Sequence, residues 1–230
     1  MDATGIARRL EKMGDPEAVA GMSRAGIAPG KAYGVKIPVL RTLAREIGRD
    51  HGLALELWSI DNRETRILAS MIDEPKKLTE AQMEAWAGEF WDWEVCDQCC
   101  ANLFEKSPLA WTTAVKWAGR PEEFVKRAGF VLMARLAVSD KKAPDSAFEP
   151  FFPLIIREAA DKRNFVKKAV NWALRQIGKR NPALNQKAVD AARRIQELDS
   201  RAARWVAADA LRELGSRAVQ ARLKSRERKQ

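Results

Sequence analysis

The pentapeptide FVKRA at residues 124–128 returns as FVKKA at 165–169. The segments around the two, FVKRAGFVLMARLAV (124–138) and FVKKAVNWALRQIGK (165–179), align without a gap. A third segment, RAARWVAADALRELG (201–215), matches the second, with Ala173, Leu174 and Arg175 over Ala210, Leu211 and Arg212; the offsets are 41 and 37 residues. Weaker copies precede them in ETRILASMI (64–72) and WDWEVCDQCCANLF (91–104), each after a shorter helical stretch. Recurrence at 30 to 41 residues, one helix pair per unit, points to an α-solenoid. Such a pair cannot bury its apolar face alone and buries it against the next copy.

The rest of the chain agrees with helix. Period-two β-branched runs are nearly absent, and apolar residues recur at spacings of three and four from Gly34 to Leu223. Breakers at Gly30, Pro38, Gly52, Asp73 to Pro75, Ser107 with Pro108, Gly119 to Pro121, Pro144 to Pro153, Asn181 with Pro182, and Gly215 separate segments of ordinary helix length. The expected fold is all-α: an α-solenoid of HEAT-like (ARM-type) helical repeats with a concave basic face. One domain is expected over 1–230, with 216–230 as a basic, frayed tail.

With 46% hydrophobic and 31% charged residues the chain has the composition of a folded protein. No signal-peptide core or membrane span is readable, so a cytoplasmic protein without membrane attachment is expected; a monomer is expected as well. The net charge of +10 is unevenly spread. Residues 1–115 carry 14 Lys and Arg against 18 acids, and residues 116–230 carry 27 against 13. Clustered cations gain counterion-release free energy on a phosphate backbone, so nucleic acid is the partner class favoured by charge.

In a solenoid, basic residues at equivalent repeat positions become a stripe. Arg66, Lys126 with Arg127, Lys167 with Lys168, Arg175, Arg204 and Arg212 are its candidates, on a surface of roughly 20–35 Å that follows about one turn of duplex. The alternative is that these charges solvate outward helix faces.

Several chemistries are excluded. Cys96, Cys99 and Cys100 contain a CxxC, but the only histidine, His51, is distant, so a zinc site lacks its fourth ligand; the cysteines read as small packing residues of a helix. Redox CxxC motifs follow a strand, and none is expected here. No phosphate-binding GxxxxGK[ST], no GxSxG and no convincing triad occurs. Trp93 and Asp97 survive: four residues apart, they share a helix face and set a carboxylate beside an indole, an arrangement that stabilises a cation. The competing reading makes Trp93 core and Asp97 surface. Most of the eight tryptophans must be packing.

The order of motifs resembles the AlkD-like DNA alkylation-repair glycosylases, which are built from HEAT-like repeats. The likeness runs through YGVKIPVLRTLAREI (33–47), NRETRILASMI (62–72), WEVCD (93–97), FVKRAGFVLMARLA (124–137) and NFVKKAVNWALRQIGKRNP (164–182). It covers roughly residues 30 to 215, with Glu94 standing for the first acid of a Trp-Asp-x-x-Asp pattern and a longer segment at Lys141–Pro153. The resemblance implies Asp97, Trp93 and Trp172 as catalytic-cleft residues. It places the cleft arginine on Arg127, with Lys126 beside it; Lys167, Lys168, Arg175 and Arg204 of the repeat stripe are the further expected DNA contacts. It also implies duplex DNA with alkylated bases as partner, and hydrolysis of the N-glycosidic bond of cationic purines such as 3-methyladenine and 7-methylguanine without metal or organic cofactor. Two other functions fit a helical-repeat chain: non-catalytic binding of DNA structures, and a protein-interaction scaffold.

Overall fold

The computed structural model describes residues 2–22, 24, 26–27 and 31–227; Gly30 and residues 228–230 lie outside it. The described residues form fourteen α-helices and no strand. The chain divides into two compact units, Met1–Leu109 and Ala110–Gln230. The first holds α1 (Ala3–Lys12), α2 (Pro16–Met22), α3 (Ile37–Ile47), α4 (His51–Ser59), α5 (Arg63–Ile72), α6 (Glu80–Gly88) and α7 (Trp93–Asn102). The second holds α8 (Ala110–Ala118), α9 (Glu123–Ser139), α10 (Phe151–Glu158), α11 (Asn164–Gly178), α12 (Pro182–Gln196), α13 (Arg201–Leu214) and α14 (Arg217–Glu227). None of these helices is long and apolar enough to cross a membrane.

Local chemistry sets the helix starts. Asp50, Asn62, Thr79, Asp92, Asn181 and Ser200 each accept a backbone N–H of the first turn, satisfying donors that have no intrahelical partner. Several residues read from sequence as breakers act as starters: Pro38, Pro153 and Pro182 all sit in first turns, where the missing N–H costs nothing.

The repeat is visible in the packing. Within the first unit α4 pairs with α5, and α5 lies between α3 and α7; within the second α8 pairs with α9, α12 with α13, and α11 lies between α9 and α13. The equivalent residues Phe124 and Phe165 meet, ring centroids 5.6 Å apart. A long enclosed stretch runs through α9, whose residues from Val125 to Ala134 are all buried. Its Gly129 permits this: a Cβ there would lie 2.6 Å from Ala118 N and 2.9 Å from Trp117 C, so α8 and α9 touch backbone to backbone.

Side chains bridge neighbouring repeats at separations of about one repeat. Arg63 reaches Glu94 and Trp58 reaches Glu89, both 31 residues on; Asn171 reaches Asp209 and Arg175 reaches Glu213, both 38 on. The long segment at 141–153 is fixed in the same way. Arg180 donates to Ala137 O and Asp140 O (both 2.9 Å) and to Ala143 O (3.1 Å), and its guanidinium lies 4.2 Å from the centroid of buried Phe148.

Candidate nucleic-acid interface

α7 begins where buried Asp92 accepts from Glu94 N (2.8 Å) and Val95 N (3.0 Å). Its Oδ2 is buried without a hydrogen-bond partner, and burial raises the Asp92 pKa above the ordinary value, against the two backbone donors. The helix therefore turns Cys96, Cys99 and Cys100 fully inward and leaves Trp93 and Asp97 half-buried. Burial pushes the Cys99 thiol well above its usual range, the opposite of an activated thiol. The expected packing role of the cysteines is what the structure displays.

A charged cluster holds the start of α7. Arg63 grips Glu94 with two donors, Nε to Oε2 (2.7 Å) and Nη2 to Oε1 (2.8 Å), while Nη1 reaches Glu64 Oε1 (2.8 Å) and Val35 O (3.1 Å). Glu64, with no exposed surface, accepts from Tyr33 N (2.8 Å), Gly34 N (2.9 Å) and Val35 N (3.1 Å). Burial works against the Arg63 charge, yet Glu94 and Glu64 outweigh it and raise its pKa. The three segments YGV, NRE and WEV are thus one structural knot. Sequence reasoning read Glu94 as a replaced acid; it is the residue that anchors Trp93 and Asp97 to α5.

Arg66 does not extend an exposed stripe. It is buried between rings, 4.3 Å from the Trp91 centroid and 5.0 Å from that of Trp58, and donates to Glu89 O (2.7 Å) and Glu89 Oε2 (2.6 Å). Trp58 in turn stacks on Trp86 at 3.9 Å.

In the second unit the cations fall into two groups. Lys126 is buried and engaged by Glu158 (2.5 Å) and Asp161 (3.4 Å). Arg175 pairs with Glu213 and Asp209. Arg127, also buried, donates to Phe165 O at 2.7 Å. Exposed instead are Lys168, Arg204 and Arg212, and Lys167 is half-exposed. Arg204 meets Asp199 only at 3.4 Å and Arg212 pairs with Asp209. Trp172 is half-buried on α11. Trp205, which the sequence reading does not single out, is 41% exposed. The signal was legible: it shares a helix face with Arg201, Arg204 and Arg212, opposite the buried Ala203, Val206, Ala207 and Ala210.

Of the residues singled out from sequence, Trp93 and Asp97 lie in the first unit, and Lys126, Arg127, Lys167, Lys168, Trp172, Arg175 and Arg204 in the second. Among the described residues no group of three or more His, Cys, Asp or Glu could hold a metal ion.

Comparison with known proteins completes the picture. No curated protein matches the chain significantly. Among solved structures the fold superimposes at a TM-score of 0.78 and 19% identity, over 97% of this chain and 96% of the other, on a protein described as belonging to a new family related to the HEAT-like repeat DNA glycosylases with affinity for branched DNA structures. At that identity the match establishes the HEAT-like helical fold. Residues 6–214 match the family described as DNA alkylation repair enzyme, nearly the whole chain, and the protein belongs to that family.

Proposed function

We propose that the protein is a DNA glycosylase that releases positively charged alkylated purines, such as 3-methyladenine and 7-methylguanine, from duplex DNA by hydrolysis. The observation that carries this reading is α7, which presents Trp93 and Asp97 half-buried on one face while the Arg63–Glu64–Glu94 knot fixes its start. A purine alkylated at N3 or N7 is already a good leaving group. The enzyme's task is to stabilise the oxocarbenium-like sugar as the bond to the base breaks, with water supplying the hydroxyl. In this reading the Asp97 carboxylate faces the developing positive charge and orients that water. Trp93, one helical turn before Asp97, lies against the sugar and cationic base. Lys167, Lys168 and Arg204, which reach solvent, contact backbone phosphates.

The test is release of 7-methylguanine from methylated duplex under single-turnover conditions. Asp97→Asn should lose about 10²–10³-fold in rate, the scale of one electrostatic contact to a transition state, while duplex affinity is retained. A wild type that binds but releases nothing ends the catalytic reading.

A second reading is favoured by the related fold's affinity for branched DNA: recognition of DNA structure without chemistry. It predicts tighter binding to a four-way junction than to linear duplex, with no base release from either.

A further inference from the structure

In the second unit, the start of α11 and the start of α13 border an open cleft of about 850 Å³, lined by Lys162, Lys167, Asp199, Ser200, Arg201 and Trp205. Two features separate it from the rest of the unit. The first is its charge. Several other cations of the unit are compensated, Lys126 by Glu158 and Asp161, Arg163 by Asp161, Lys179 by Glu213. Lys162, Lys167 and Arg201 have no carboxylate partner among the described residues, and the cleft's one acid, Asp199, faces Arg204. Three uncompensated cations therefore converge on one concavity. The second feature is Trp205, 41% exposed, with Lys167 Nζ 4.7 Å from its ring centroid. An indole exposed to that extent on an arginine-bearing helix face is not spent wholly on the core.

We propose that this cleft binds an unpaired nucleotide of a DNA strand, with its base stacked on Trp205 and its phosphates held by Lys167, Lys162 and Arg201. A flat apolar platform ringed by cations matches the two halves of a nucleotide, and free phosphate would have no use for the ring. Bases within duplex have their faces covered by neighbours, so a stacking platform selects nucleotides that are splayed out, at a fork, gap or end. The Lys167–indole contact is weak at an exposed site and is readily exchanged for a base, which frees the ammonium for the phosphate. The volume falls within the range of about 300–1,000 Å³ typical of ligand clefts. The site shares Lys167 with the glycosylase reading but none of its catalytic residues, and it rests only on the chain acting on DNA.

The experiment compares binding, by fluorescence anisotropy at fixed salt, of a blunt duplex and the same duplex carrying an unpaired oligo-dT arm. Wild type should prefer the armed duplex. Trp205→Ala should erase that preference, a loss of about 5- to 100-fold on the armed duplex for one base–aromatic stack, with blunt affinity unchanged. Trp205→Phe should keep most of it. Lys167→Ala should lower the salt slope on the armed duplex by about one. Equal binding of the two duplexes by wild type, or an undiminished preference in folded Trp205→Ala, overturns the proposal. Base release from blunt methylated duplex, measured on the same variants, keeps the two readings apart. Release without arm preference sinks this site alone, and arm preference without release sinks the glycosylase alone.

Discussion

Asp161 and Asp92 show how position decides what a carboxylate does for stability. Asp161 is partly buried, which raises its pKa, but the Arg163 hydrogen bond and the charges of Arg163 and Lys126 outweigh this and leave it below its ordinary value of 3.8. Glu213 is held below 4.5 in the same way, burial being outweighed by Lys179 and Arg175. A carboxylate with a lowered folded pKa stabilises the fold above its unfolded pKa, and that contribution is lost as pH falls through the folded value. The Tm should therefore hold from neutrality down to about pH 5 and fall below about pH 4, with a shallower fall in Asp161→Asn, as thermal melts across pH would record. Asp92 has the opposite sign: its folded pKa is raised, so its contribution is greatest when protonated and declines as pH rises through that value. Replacement by Ala removes the α7 cap at a cost of about 1 kcal/mol, while Asp92→Asn keeps the cap and should cost less at neutral pH than at pH 4.

At the scale of the element, two contacts deserve separate tests. Gly129→Ala inserts a methyl 2.6 Å from the Ala118 nitrogen, where neither backbone can yield cheaply. A loss of about 1–3 kcal/mol is expected in denaturant unfolding, although alanine is the better helix former. Glu64→Ala removes the acceptor of three backbone N–H groups and one partner of Arg63. It should cost about 3–5 kcal/mol and speed amide exchange at Tyr33, Gly34 and Val35. The helices themselves were legible, since a three-to-four periodicity and capping residues are local signals. What was not legible is the partner of each charge. FVKRA and FVKKA are nearly the same string, yet Lys126 is clamped by Glu158 and Asp161 while its counterpart Lys167 lies over an indole. The difference is supplied by residues more than thirty positions away, which no window on the pentapeptide contains.

At the scale of the molecule, the charge asymmetry read from sequence follows the division into units, because residues 110–115 carry no charge. The second unit thus holds 27 Lys and Arg against 13 acids, and DNA affinity should fall steeply with salt, by about 0.9 logarithmic units per logarithmic unit of salt for each phosphate neutralised. Compensated and exposed cations should separate in that slope. Lys168→Ala with Arg204→Ala should reduce it by about two, whereas Lys126→Ala should leave it unchanged and lower the Tm. Repeat architecture and family were readable from motif order; the partition of the cations into those spent on the fold and those turned to solvent needed coordinates.

All three thiols of the chain, Cys96, Cys99 and Cys100, lie without exposed surface on the one helix that carries Trp93 and Asp97. The protein therefore carries its own clock for that helix. A thiol reagent such as DTNB reacts only when α7 lifts from its neighbours, so the labelling rate counts openings of this element and no other. In the wild type the colour should develop no faster than global unfolding, and in Glu64→Ala it should run ahead of it.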